Sequence, residues 1–430
     1  MNIDTPIWYP FTQMATAEEP LEVVSGHGSN LTLADGRSLI DGISSWWVSI
    51  HGHTHPHLIE ALHLQAQRLE HVIFAGFVHE PALKLATALL GKMPYMDKVF
   101  YSDDGSTAVE VALKIAIQYL GLTQAKSQKV RILAFEGAYH GDTFGAMSIG
   151  ARSTFNVHFE SYLFEVMHLP LPTLDNIKNI MTQLETYKNK GGIDVFIYEP
   201  LVQGAAGMRI YPTHCLELIL EQLKSQGTLL IADEVMTGFY RTGTFLASDK
   251  LTNLKPDIVC LSKALTGGMM PLGATVCSRQ IYEPFHSDDI QKTLYHGHSY
   301  TANPLACACG VASLELFEAA DYLQNITRIS NRFAEFTRYV NQKYPHIKAT
   351  TLGLVLALEW QNVGDSGYFN DLKAKLYDHA IQKGVLLRPL GNVLYALPPL
   401  STTDEQLETI LEVLDSAATL FNQTTSQTQK

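Results

Sequence analysis

Leu229-Leu-Ile-Ala232-Asp233-Glu234 and Ile258-Val-Cys-Leu261-Ser262-Lys263 are two short apolar runs, each ending in charge. Apolar runs of this length without polar alternation suit strands buried on both faces, the habit of parallel sheets. The strand candidates Val99-Phe-Tyr101, residues 130–135 and Val195-Phe-Ile-Tyr198 precede them, and amphipathic stretches such as 108–120 lie between. Repeated β–α alternation predicts an α/β fold built on a mainly parallel sheet covered by helices. Such sheets place their sites at the carboxyl ends of the strands. Asp233, Glu234 and Lys263 fall at two such ends. The acids also admit an innocent reading, exposure past the sheet edge, and the lysine is either snorkelling or reactive.

Working outward, the first 50 residues read as a strand-rich arm, with two apolar runs around Asp35-Gly36 as a hairpin signal. Residues 58–72, 81–90 and 304–317 carry helical spacing. Beyond them come a strand at 355–360, a helix at 372–383, a hairpin-like segment at 385–397, a helix at 404–421 and a polar, frayed tail at 422–430. The expected organisation is a large domain over 56–315 and a smaller α+β domain over 316–430, to which the arm 1–55 contributes.

The 430 residues carry 31 Lys+Arg against 43 Asp+Glu, a net charge of −12 in a chain only 17 % charged. That balance excludes a general binder of nucleic acid or anionic membranes, which needs a basic face. With 46 % apolar residues, disorder is excluded too. Residues 1–11 hold Asp4 and no basic residue, unlike a signal peptide. The apolar stretch 264–277 is interrupted by three glycines and Pro271 and is too short to span a bilayer. Five cysteines form no even framework, which predicts reduced thiols and a cytoplasmic location. Cys307 and Cys309 read as small buried residues of a helix.

Two further features join the strand-end acids and lysine. Ser102-Asp-Asp-Gly105-Ser106-Thr107 stands between a strand and a helix, where backbone N–H groups at the positive dipole end can cradle phosphate; an ordinary helix cap is the plainer reading. Glu136-Gly-Ala-Tyr139-His140-Gly141-Asp142 is a glycine-rich loop presenting an aromatic and a histidine. A phosphate cradle, an aromatic plate, an aspartate and a lysine at successive strand ends are together what pyridoxal 5′-phosphate (PLP) requires. The lysine would form the Schiff base, and the aspartate would keep the pyridine nitrogen protonated.

At this point the chain resembles a known family. Asp233-Glu-Val-x-x-Gly238 with Lys263 thirty residues on is similar to the class III aminotransferases of PLP fold type I. Further segments carry the resemblance nearly end to end: Trp8-Tyr-Pro-Phe-Thr-Gln-Met14, Ser44-Ser-Trp46-Trp47, Gly137-Ala-Tyr139-His-Gly-Asp-Thr-Phe-Gly-Ala-Met147, Gly238-Phe-Tyr-Arg241-Thr-Gly, Lys263-Ala-Leu-Thr-Gly-Gly268, His296-Gly297-His-Ser299 and Leu387-Arg388-Pro. Within the family they look most like the branch that converts 8-amino-7-oxononanoate to 7,8-diaminononanoate in biotin synthesis, with S-adenosylmethionine as amino donor. The resemblance implies Lys263 as the Schiff-base lysine, Asp233 as the pyridinium partner and Tyr139 against the cofactor ring. It implies Gly105 and Ser106 at the phosphate, joined by His298 and Ser299 from the other subunit of a homodimer. Trp46, Trp47, Gly297 and Arg388 are implied to meet substrate. Phe11 stands where many members carry tyrosine, which leaves lysine open as an alternative donor. Ser299 stands for a frequent threonine and His298 for a frequent proline.

A rival reading comes from His51-Gly-His53-Thr-His55-Pro-His57. Alternating histidines on an extended segment share one face and could bind a transition metal, although Pro56 interrupts the run.

Overall fold

The computed structural model describes residues 5–124, 129–152, 156–252, 254–361 and 371–427. Its centre is a seven-stranded sheet in the order Lys98–Ser102, Gly273–Cys277, Ile258–Leu261, Leu229–Asp233, Val195–Tyr198, Ile132–Phe135, Met167–Leu169. Gly273–Cys277 runs antiparallel to both neighbours, and the other six strands share one direction. The mainly parallel sheet is as expected. All five strands read from the sequence are there, while Gly273–Cys277 and Met167–Leu169 are additions.

The apolar runs lack alternation because both faces are covered. Val195, Ile197, Leu229, Ile231, Ile258 and Cys260 point into a core with the helix Gly105–Gln124. Their neighbours Phe196, Tyr198, Leu230, Ala232, Val259 and Leu261 point into a second core, which Leu216, Ile219 and Leu223 of the helix Thr213–Ser225 enter. Successive side chains of a strand alternate sides, so each run feeds two cores.

The arm folds into the antiparallel strands Val23–His27, Asn30–Leu33 and Ser38–Asp41, the last two flanking the Asp35-Gly36 turn. A fourth strand, Val385–Leu386, adds in parallel to Ser38–Asp41. A second small sheet pairs Val355–Trp360 with Ile347–Leu352 and Val393–Ala396, and packs against the long helix Ala320–Lys343.

The hairpin expected at 385–397 is therefore corrected: its two halves join different sheets. An isolated hairpin is marginal, and each half gains more by extending an existing edge. Pro389 and Gly391, at φ +60°, turn the chain between them. The C-terminal helix Asp404–Gln427 extends into the tail read as frayed, and residues 428–430 lie outside the described residues. All five cysteines are free and buried. Among the described residues no helix is long and apolar enough to cross a membrane.

Candidate active site

A cavity of about 640 Å³ opens along the carboxyl edge of the large sheet. Five strands deliver residues to it at or just past their ends: Gly105 and Ser106, Tyr139 and His140, Glu199, Asp233, and Lys263.

Asp233 is buried and bound on both oxygens. Its Oδ2 meets His140 Nδ1 at 2.7 Å, and its Oδ1 accepts from the Val235 N–H at 3.1 Å. Burial alone would pull His140 down, but the hydrogen bond and charge of Asp233, with Glu199 beyond, outweigh it and raise the imidazole. Glu199 accepts from the N–H groups of Tyr139 and Gly204 at 3.2 and 2.9 Å. Burial lifts its carboxyl to about 7; the charge of His140 and the two N–H groups pull the other way, and Asp233 pushes with burial. The sequence reading gave Glu199 no part. It follows the strand Val195–Tyr198 directly, so the strand-end rule applied there would have found it.

Lys263 begins a one-turn helix, Lys263–Thr266, and holds a φ of +49°, a left-handed conformation that costs a side-chain-bearing residue ~1–2 kcal/mol. Its amine makes no hydrogen bond or ion pair among the described residues and lies 5.0 Å over the Trp47 ring. Burial depresses its pKa; Asp233 and Glu199 oppose that, and Arg241 reinforces it. The amine is held inside the cavity, not snorkelling to the surface.

At the start of Gly105–Gln124, Asp104 Oδ1 takes the Thr107 N–H at 2.7 Å. The Gly105 and Ser106 N–H groups keep no partner among the described residues. A Cβ on Gly105 would stand 2.6 Å from Val235 Cγ1, so only glycine lets the helix start close to the strand end of Asp233. The Ser106 hydroxyl accepts from the Thr143 N–H at 3.0 Å, which ties the cradle to the Tyr139 loop. Tyr139 itself is partly exposed, its hydroxyl donating to Asp142 Oδ2 at 2.9 Å.

The two tryptophans do not share one environment. Ser44, Ser45, Trp46 and Trp47 have φ of +50°, +45°, +68° and +75°, a full left-handed turn built without glycine. Four such residues cost ~4–8 kcal/mol in local strain, which surrounding bonds must offset. Trp47 is buried, lines the cavity and donates its indole N–H to Tyr395 Oη at 2.9 Å. Trp46 is 37 % exposed and lies beside the cavity lining, with the Arg388 guanidinium 4.6 Å over its ring and Phe11 edge-on at 5.7 Å. Arg388 makes no ion pair with an acid among the described residues.

Gly297, His298 and Ser299 do not line this chain's cavity. Gly297 and Ser299 are exposed, and His298 Nε2 stands 3.9 Å from Asp103 Oδ1. The histidine run is not an extended ligand face either. Gly52 and Thr54 take positive φ and a helix starts at Pro56, so the run is not extended, although the His51 and His55 rings still lie edge to face at 6.2 Å. His51 meets Ser313, His53 meets Asp41, and His57 meets Glu315. Among the described residues no group of three or more His, Cys, Asp or Glu could hold a metal.

A free amine, a bound carboxylate, unpartnered helix N–H groups and a tyrosine ring around one cavity fit PLP in every part. Comparison with known proteins agrees. The family model "Aminotransferase class-III" matches residues 13–418. The adenosylmethionine-8-amino-7-oxononanoate aminotransferase of Synechococcus elongatus is 48 % identical over 94 % of this chain and 96 % of its own length. The crystal structure of the enzyme of that name from Methanocaldococcus jannaschii superposes with a TM-score of 0.89 at 32 % identity, over 96 % of this chain and 97 % of that one. An amine transaminase from an uncultivated Pseudomonas species, in PLP-bound form, gives 0.90 at 29 % identity, over 97 % and 99 %. The chain belongs to the class III aminotransferases, PLP-dependent enzymes of fold type I.

Proposed function

We propose that this chain moves an amino group from S-adenosylmethionine to 8-amino-7-oxononanoate, forming 7,8-diaminononanoate in biotin synthesis, as a cytoplasmic homodimer. The names of its relatives support the substrates, and five buried free cysteines suit a reducing compartment. The observation that carries the chemistry is the Lys263 amine, unpartnered in the cavity beside Trp47 with its pKa depressed.

Bound PLP supplies the electron sink for the substrate carbon that loses its proton. Lys263 Nζ holds the cofactor between turnovers and, once released, carries the proton to and from the substrate carbon. Asp233 keeps the proton on the pyridine nitrogen, and His140 fixes that carboxylate through Nδ1. Gly105 and Ser106 hold the phosphate, with His298 and Ser299 contributed by the second copy. Trp46, Trp47 and Tyr139 enclose the aliphatic chain and stack beside the sulfonium, and Gly297 completes the wall. Arg388, spread over Trp46, takes the far carboxylate of the ketone. Residues 1–55 and 316–430 act as one small domain against 56–315, a division supported by the pairing of Val385–Leu386 with Ser38–Asp41.

Phe11 packs edge-on to Trp46 and brings no hydroxyl, which keeps lysine as the second reading for the donor. The test is to mix PLP-loaded protein with each donor separately. Loss of the cofactor's visible absorbance with S-adenosylmethionine is expected; loss with lysine alone would move the donor, and loss with neither would overturn the proposal.

A further inference from the structure

We infer that Asp41 is a positioning residue for substrate recognition, acting through the left-handed turn Ser44–Trp47. This turn alone makes two consecutive tryptophans serve different sites. Trp47 faces the cavity and the Lys263 amine, while Trp46 forms the platform under Arg388. No glycine or asparagine in Ser44-Ser-Trp-Trp favours positive φ, so something outside the turn must impose it.

Asp41 is fully buried, and its two oxygens take four hydrogen bonds. Oδ1 accepts the N–H groups of Ile43 and Ser45 at 3.2 and 2.9 Å. Oδ2 accepts the Ser45 hydroxyl at 2.7 Å and meets His53 Nε2 at 2.8 Å. Three of the four bonds come from the turn and the residue before it. The fourth comes from a residue fixed independently, because the His53 backbone exchanges both its bonds with Gly28 of the arm. At the far end Arg241, also buried, donates to the Trp47 carbonyl at 3.0 Å; at the near end, beside the Asp41 bonds, the Ser44 hydroxyl donates to the Leu397 carbonyl at 2.7 Å. The turn is thus clamped at both ends, and Asp41 is the clamp on the side of Trp46. Without it the chain relaxes toward negative φ, and the platform under Arg388 moves relative to the cavity wall.

The inference rests on the proposed function for its ligand and for the place of Trp46 and Arg388 in the substrate site. Asp41→Ala is compared with wild type in two ways. In the cofactor-free protein, near-ultraviolet circular dichroism reads the packing of the tryptophans. In the PLP-loaded protein, kinetics with the ketone separate KM from kcat. The expected result is an altered tryptophan signal with PLP still attached to Lys263. With it comes a fall of about 10- to 100-fold in kcat/KM carried mainly by KM, the scale of an ångström-level misplacement. Asp41→Asn, which keeps the Oδ1 acceptor for both backbone N–H groups, recovers most of the loss. An unchanged tryptophan signal and KM in Asp41→Ala would overturn the inference. So would a fall in kcat and PLP content that merely tracks lost folded protein. If Asp41→Ala does not fold, Ser45→Ala, which removes only the hydroxyl's bonds to Asp41 and His53, carries the same test; an unchanged KM and spectrum there would overturn it. A changed spectrum beside a wild type inactive on the ketone would sink the substrate proposal, while the part of the inference in which Asp41 sets the turn and the Trp46 platform would stand.

Discussion

Arg388→Ala should disable the half-reaction with the ketone far more than it disturbs the fold. The guanidinium is half-buried, lies over Trp46 and has no acid partner among the described residues, so its charge is free for a ligand. A guanidinium and a carboxylate ~4 Å apart attract by about 4 kcal/mol at an effective dielectric near 20. Partial exposure trims that to about 2–4 kcal/mol, or about 30- to 1000-fold in kcat/KM. Alanine also uncovers the Trp46 ring, so Arg388→Met, which keeps an apolar cover without charge, separates packing from electrostatics. Arg388→Lys keeps the charge but loses the bidentate fork and the flat stacking face, and should fall between. The assay is single-turnover kinetics of protein loaded with pyridoxamine 5′-phosphate at subsaturating 8-amino-7-oxononanoate. Equal rates for wild type and Arg388→Met would refute the carboxylate role, and a loss confined to Arg388→Ala would reassign Arg388 to packing.

In the cofactor-free protein, acylation of Lys263 should reach its plateau at lower pH than that of exposed lysines, because burial depresses its pKa; a midpoint matching ordinary lysine near 10.5 would contradict the site's electrostatics. His51 is buried and held down to about 3 by burial, with His55 and Arg241 adding to the effect. The unfolded chain takes up that proton near 6.5 and the folded chain does not, so this stability is complete above 6.5 and is lost as pH falls toward 3. The loss runs at about 1.4 kcal/mol per pH unit. Chemical denaturation of His51→Gln from pH 7 to 5 should show a shallower decline than wild type, and parallel curves would refute the assignment. Gly105→Ala brings a Cβ to 2.6 Å from Val235, whose N–H holds Asp233, so PLP should bind about 5- to 150-fold more weakly for an overpacking cost of about 1–3 kcal/mol. Titration of cofactor-free protein with PLP measures it; wild-type affinity would mean the helix start yields freely.

The sheet was legible because its strands are uninterrupted apolar runs whose chemistry-bearing residues follow at once, as at Asp233 and Lys263. Gly273–Cys277 was not, since the glycines and Pro271 before it read only as breaks in a long apolar stretch. The sequence reading assigned nothing to the helix Ala320–Lys343, which fell between the segments it followed. The segment 385–397 misled because strand pairing is non-local: nothing in Val385-Leu-Leu387 names Ser38–Asp41 as its partner. The site divides in the same way. Residue types at strand ends pointed to Lys263, Asp233, Tyr139 and the Gly105 cradle, which the structure gathers around one cavity. The left-handed turn at Ser44–Trp47 was invisible, because its conformation is imposed by Asp41, His53 and Arg241 rather than by the residues that adopt it. The histidine run carried a true period of two, but Gly52 and Thr54 break the extended backbone that the metal reading needed.

The most direct test of the central claim follows the transferred nitrogen. PLP-loaded protein is incubated with 8-amino-7-oxononanoate and S-adenosylmethionine carrying 15N in its amino group, and the product is read by mass spectrometry, with Lys263→Ala as the comparison. The account predicts 7,8-diaminononanoate bearing the label from wild type and none from Lys263→Ala. Absence of product from wild type, unlabelled product, or labelled product from Lys263→Ala at a comparable rate would contradict it.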